Sequence, residues 1–193
     1  GDTQTDSHSS LAMIPSDSSR LWSVELKPFI DVANAGVDAI MIAHVHAPDF
    51  QPESDIPATL SKFWVTDILK NKIGYKGIII TDGMGMGGVT KNYADDYAII
   101  EAVKAGCDVI IQNYDIVGSI NAIEDAVKNN EISIEQINSS ALKMLKMKEN
   151  AGLHLNPFVD LDFMMKTIGI KEHREASDRI STEAITLVKD EKN

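Results

Sequence analysis

The sequence predicts an α/β fold built on parallel strands, and three observations carry that reading. Asp38-Ala-Ile-Met-Ile42, Gly77-Ile-Ile-Ile-Thr81 and Asp108-Val-Ile-Ile-Gln112 are short apolar runs with the length and β-branched content of buried strands. Each follows a stretch with helical spacing of its apolar residues. Each of those stretches stops on a glycine (Gly36, Gly74, Gly106), the residue that most easily closes a helix. Helix, glycine and buried strand in a recurring order mark βα units in a parallel sheet.

Taken in order, helices are expected over Leu26–Ala35, Leu60–Ile73 and Asp95–Ala105, one before each strand. After the third strand the pattern turns helical throughout. Ile116–Lys128 has helical spacing. Ser133-Ile-Glu-Gln136 reads as a capping box and opens a long amphipathic helix towards Gly152, with Ile134, Ile137, Ala141, Met144, Leu145 and Met147 on its apolar face. Asn156-Pro157 breaks the chain. Asp160–Lys166 and Glu172–Val188 are further helices, and Met144, Met147, Met164 and Met165 are expected in a core. The organisation is therefore residues 1–150 as sheet with helices and residues 151–193 as a trailing helical segment. Two architectures fit: a doubly wound open sheet, or part of a (β/α)8 barrel, which takes about 250 residues when whole.

Composition narrows the function. The chain has 193 residues with 18 Lys+Arg against 29 Asp+Glu, a net charge of −11. That surplus of acid opposes binding to a nucleic-acid backbone or to an anionic membrane surface. No apolar run approaches the roughly 20 residues of a membrane span. Cys107 is the sole cysteine, so neither an intrachain disulfide nor a thiolate-rich metal cluster is open to it.

In both architectures chemistry gathers at the C-terminal ends of the strands. Ala43-His44-Val45-His46 follows the first strand, where His44 is either a sugar contact or a hydrogen-bonded core residue and His46 a loop residue. Thr81-Asp82-Gly83-Met84-Gly85-Met86-Gly87-Gly88 follows the second, and Gln112-Asn113-Tyr114-Asp115 the third. A carboxylate at a strand mouth before a glycine-rich turn supports two readings. Gly83-x-Gly85-x-x-Gly88 has the spacing of a dinucleotide fingerprint, but Asp82 ahead of it opposes a pyrophosphate and the following helix starts late. Alternatively, Asp82 is a carboxylate nucleophile for a sugar. A retaining glycosidase places such a group about 5 Å from a proton donor.

The second reading meets a family resemblance. Lys76-Gly-Ile-Ile-Ile-Thr-Asp-Gly-Met-Gly-Met-Gly-Gly-Val89 resembles the nucleophile motif of glycoside hydrolase family 3. Gly36-Val-Asp-Ala-Ile-Met-Ile-Ala-His-Val45, Pro57-Ala-Thr-Leu-Ser61, Ala102-Val-Lys-Ala-Gly-Cys-Asp-Val-Ile-Ile111 and Ala184-Ile-Thr-Leu-Val-Lys189 are similar to that family's flanking segments, in the same order. Gly1-Asp-Thr-Gln-Thr-Asp-Ser-His8 resembles the loop of its β-N-acetylglucosaminidase branch, in which the His is the acid/base and the Asp its partner. The resemblance implies a partial (β/α)8 barrel of about three βα units with trailing helices. It makes Asp82 the nucleophile, His8 the proton donor and Asp6 its orienter, with His44 and Met86 as substrate contacts. It implies a carbohydrate substrate and no metal or organic cofactor. Gly83 stands where the family more often has Asp or Ala. The Lys-His-Phe-Pro-Gly-His stretch that the family carries ahead of the loop is not in this chain. An arc of a barrel leaves strand edges and apolar side chains uncovered, so self-association or pairing with the missing barrel half is expected.

Overall fold

The computed structural model describes residues 3–52, 55–112 and 114–187. Its strands are all parallel and lie side by side in chain order. β1 (Ala12–Met13) pairs with β3 (Val45–His46) in the register Ala12↔Val45 and Met13↔His46. β2 (Ala39–Ile42) pairs with β4 (Ile78–Thr81) from Ala39↔Ile78 to Ile42↔Thr81. Only Ala43 and His44 separate β2 from β3, so the two act as successive parts of one strand. Val109 bridges Ile80 on the far side of β4. A doubly wound sheet reverses its strand order at a switch point, whereas a barrel lays each strand beside the one before it. The order here is the barrel's, and the fold is mixed α/β with a partial, barrel-like sheet.

The third predicted strand is reduced to that one bridge. Side chains supply part of the pairing around it. Asp108 Oδ2 accepts from Ile79 N at 3.0 Å, and Thr81 Oγ1 accepts from Ile111 N at 3.0 Å. Met84 N, past the end of β4, reaches Ile111 O at 2.9 Å. Two segments left unassigned by the sequence pattern are strands: β1, and β3 with His46, which is buried and bonded to Gln51 at 3.1 Å instead of sitting in a loop.

The first helical layer is α1 (Ser18–Arg20), which runs on as a wide π-type turn over Leu21–Glu25, and α2 (Lys27–Asn34). A further π-type helix covers Phe63–Lys72, inside the range expected from spacing. α3 (Gly87–Thr90) and α4 (Asp95–Ala105) follow β4, and α5 (Ile116–Lys128) and α6 (Ile134–Asn150) follow the Val109 bridge. Gly74 and Gly106 have φ of 82° and 115°, a region that only glycine enters freely, which is why helices stop there. The core lies between the sheet and these helices and includes Ile40, Val65, Leu69, Ile79, Ala98 and Ala102. Ser133 Oγ accepts from Gln136 N at 3.1 Å, the bond a capping box requires.

The chain divides into two compact units, Gly1–Lys148 and Glu149–Asn193. The second holds α7 (Leu161–Thr167) and α8 (Lys171–Glu183), with Asp160 capping α7 through Phe163 N at 3.0 Å. The methionine stripe is not closed into a core. Met144, Met147 and Met164 are half-buried and Met165 is 74% exposed, because their helices leave one apolar face open. No helix among the described residues is long and apolar enough to cross a membrane.

One ion pair fastens α6 beneath the sheet. The Asp108 side chain is 3% exposed and receives Lys143 Nζ at 2.8 Å and Ser140 Oγ at 2.7 Å, while Lys143 also donates to Gly77 O at 3.1 Å. Removing one partner of a buried pair strands the other charge. Lys143→Ala is expected to cost about 3 kcal/mol of folding stability in denaturant unfolding. Lys128→Ala, which breaks only exposed pairs to Glu124 and Asp125, is expected to cost far less. Equal losses would contradict this account of Asp108.

Candidate active site

The candidate site lies past the C-terminal ends of β2, β4 and the Val109 bridge, and backbone hydrogen bonds build it. Asp82 N donates to Ile42 O at 3.0 Å, carrying the β2–β4 pairing one residue beyond the strand. The half-buried Asp82 carboxylate accepts Gly83 N–H on Oδ1 at 2.7 Å. Among the described residues no Lys or Arg is paired with it.

The loop Asp6–Ser10 seats on the turn that Asp82 opens. Gly87 N donates to His8 O at 2.9 Å and Gly88 N to Ser7 O at 3.0 Å. The loop folds on itself through Ser9 N and Ser10 N, which reach Asp6 O at 2.9 and 3.1 Å. Asp6 Oδ1 takes both His8 N at 3.0 Å and His8 Nδ1 at 2.8 Å. An ionised carboxylate only accepts, so Nδ1 carries the proton of this pair and Nε2 is the nitrogen left to exchange one. The His8 backbone and ring bonds hold the Asp6 carboxyl below the usual carboxylate range, so Asp6 stays charged at neutral pH.

The glycines of the turn are explained by what touches them. A side chain at Gly85 would run into the Tyr114 ring, which is itself 75% exposed. At Gly87 a Cβ would stand 2.5 Å from Ser9 O and 2.8 Å from His8 O. At Gly88 it would stand 3.0 Å from Ser7 O and from His44 Cβ. Two of the three positions that gave the spacing of a dinucleotide fingerprint, Gly85 and Gly88, are thus packed against other parts of the chain. That fingerprint also belongs to a doubly wound sheet, which the strand order excludes.

His44 has other partners than the sugar contact expected of it. It is fully buried, with Nε2 at 3.0 Å from Gly83 O and Nδ1 at 2.8 Å from Thr59 Oγ1, so both ring nitrogens are engaged inside the protein. Burial lowers its pKa, against smaller opposing effects of the Gly83 carbonyl and the Asp82 charge, and the ring is neutral at pH 7. Gly83 O can only accept, so the single ring proton sits on Nε2 and Thr59 donates its hydroxyl proton to Nδ1. Sequence reasoning missed Thr59. The signal was a hydroxyl residue inside Pro57-Ala-Thr-Leu-Ser61, a segment too apolar for an exposed loop. Met86 is half-buried at the N-terminus of α3, where its N–H donates to Gly83 O at 3.0 Å. Gly1 and Asp2 of the opening motif, Asn113, and Val188-Lys189 lie outside the described residues. Among the described residues no group of three or more His, Cys, Asp or Glu side chains is placed to hold a metal ion.

A parallel arc with its ionisable groups gathered past the C-terminal strand ends has the site layout of the (β/α)8 barrel class. The chain belongs to glycosyl hydrolase family 3: the model of that family's N-terminal domain matches residues 1–147. It is 29% identical to beta-hexosaminidase A of Pseudoalteromonas piscicida over 99% of this chain and 35% of that protein. A beta-hexosaminidase of Idiomarina loihiensis is 34% identical over 64% of this chain and 36% of its own length. Among solved structures, a glycoside hydrolase family 3 beta-N-acetylglucosaminidase from Paenibacillus sp. FPU-7 superposes with a TM-score of 0.86 at 33% identity, covering 100% of this chain and 37% of that one. The chain thus spans little more than a third of the length of these proteins.

Two outcomes test the geometry. Gly→Ala within a helix ordinarily stabilises by about 0.5–1 kcal/mol. Gly87→Ala is instead expected to unseat the Asp6–Ser10 loop, seen as faster amide hydrogen exchange at positions 87 and 88. Unchanged protection there would refute the clamp. The second concerns His44. The unfolded chain takes up its proton at higher pH than the folded one, so the neutral ring contributes stability above the ordinary histidine range. That contribution is lost as pH falls through and below this range. His44→Gln should flatten the decline in stability between about pH 7 and 5 relative to the unsubstituted chain. An unchanged slope would mean that the ring is not held neutral.

Proposed function

We propose that this chain is the nucleophile-bearing part of a retaining glycosidase that cleaves terminal N-acetyl-β-glucosaminides, sugars of the bacterial cell wall and its turnover. The observation that carries the reading is the pair of backbone bonds from Gly87 and Gly88 to His8 and Ser7. They hold the Asp6–His8 dyad against the turn that starts at Asp82. The names of the relatives, beta-hexosaminidases and a beta-N-acetylglucosaminidase, support the substrate class.

In the proposed cycle Asp82 attacks the anomeric carbon while His8 gives the Nε2 proton to the departing oxygen, forming a glycosyl-enzyme. His8 then takes a proton from water, which displaces Asp82 and releases the sugar with retained configuration. Asp6 accepts from His8 Nδ1 and so turns Nε2 to the departing oxygen. The chain is proposed to work beside the remaining barrel strands. Met41 and its register partner Ile80 alternate with the core residues Ile40 and Ile79, and Met41 is 49% exposed on the face the helices do not cover.

In the complete protein Asp82→Asn should abolish covalent labelling by a fluorosugar inactivator, read by intact mass. Labelling that persists in that variant would overturn the role of Asp82. His8→Ala should slow cleavage of a poor leaving group by about 10²–10⁴-fold and that of an activated aryl glycoside far less. An equal loss on both substrates would remove His8 as the proton donor.

A further inference from the structure

His44 touches the proposed nucleophile through one intermediate residue. Gly83 uses its two backbone groups in opposite directions. Its N–H holds Asp82 Oδ1 at 2.7 Å, and its C=O is shared by His44 Nε2 and Met86 N, each at 3.0 Å. A glycine has the softest backbone of any residue, so nothing in Gly83 itself fixes the angle between these groups. The restraint has to come from outside. Met86 lies on the same turn and moves with it. His44 lies on the β2–β3 strand run, 39 residues earlier, and is anchored behind by Thr59 Oγ1 at 2.8 Å. The one Thr59 hydroxyl proton is committed to Nδ1, so the ring is braced against the Ala58–Leu60 turn that carries Thr59. Nothing on the ring is left over for a ligand.

The geometry points to His44 as a positioning residue for the proposed reaction: Thr59 orients the ring, the ring fixes the Gly83 carbonyl, and Gly83 thereby aims the Asp82 carboxylate. This rests on the reading of Asp82 as nucleophile. The aim matters because attack on an anomeric carbon needs one carboxylate oxygen in line, and a misplacement of about 1 Å costs rate on the order of 10²-fold. A purely structural buried histidine would stabilise the fold without this directional effect.

The test is a pair of variants in the full-length enzyme. His44→Gln keeps an N–H donor at the reach of Nε2. His44→Asn keeps a partner for Thr59 but is too short to reach Gly83 O. Both remove the same ring and so share the packing loss. The rate constant of Asp82 labelling by a fluorosugar, separated from the inactivator's binding constant, is the readout. His44→Asn is expected to lower that rate constant by about tenfold with binding within about twofold, and His44→Gln to restore it to within about threefold. Equal loss in both variants, or none in His44→Asn, overturns the positioning role. Should His44→Asn fail to fold, Thr59→Val takes its place, and an unchanged labelling rate in that variant overturns the role. Failure of the underlying reading looks different: the unsubstituted enzyme then carries no label on Asp82, and the inference falls with it.

Discussion

The candidate site depends on a turn that has been stripped of side chains so that backbone can meet backbone. Gly87 and Gly88 donate to the carbonyls of His8 and Ser7, and the contact is close enough that a single Cβ at Gly87 would press on two carbonyl oxygens at once. Gly85 admits the flat edge of Tyr114, and Gly88 admits His44. Three separate segments therefore converge on one short stretch after β4. Peptide groups have one fixed geometry and no rotamers to lose, so this convergence places the Asp6–His8 dyad more firmly than exposed side-chain contacts do.

Two histidines near that turn illustrate how environment divides one residue type between roles. His8 is exposed and bonded through Nδ1 to a carboxylate that stays ionised, an arrangement that leaves Nε2 unpaired among the described residues. His44 is sealed, shares no hydrogen bond with a carboxylate, and is kept neutral by burial. A single proton then has to be placed, and the obligate acceptor Gly83 O places it on Nε2. The first ring is suited to moving a proton and the second to never moving one.

The sheet shows how a strand with one neighbour satisfies its backbone. Asp108 and Thr81 lend side-chain oxygens to the amides of Ile79 and Ile111, where a full ladder would use carbonyls. Asp108 at the start of the run also anchors Lys143, so one buried carboxylate ties the sheet's N-terminal edge to α6. Stability thus concentrates at that edge. The ionisable groups of the candidate site lie past the opposite one, the division of labour expected of barrel strands.

Local patterns in the sequence determined α2, the Phe63–Lys72 helix and α4 to α8, the glycine stops, two of the three apolar strands and the candidacy of Asp82, but not the helical turns over Ser18–Glu25 or α3. Those features depend on neighbours a few residues apart: Gly106 ends α4 because of its own backbone, and Ser133 caps α6 through Gln136. The Asp6–His8 bond was legible for the same reason, since a single residue separates the two. Only the tertiary structure decided between an open sheet and a barrel arc, because strand order is a relation between segments some 30 or more residues apart. It alone showed that Asp108-Val-Ile-Ile-Gln112 makes one bridge, because the Asp108 and Thr81 side chains take the backbone amides on either side of it. It also turned His44 inward. A histidine at a strand's end reads the same whether its ring points to a cleft or to Gly83 and Thr59, and the choice is made by residues 39 and 15 positions away.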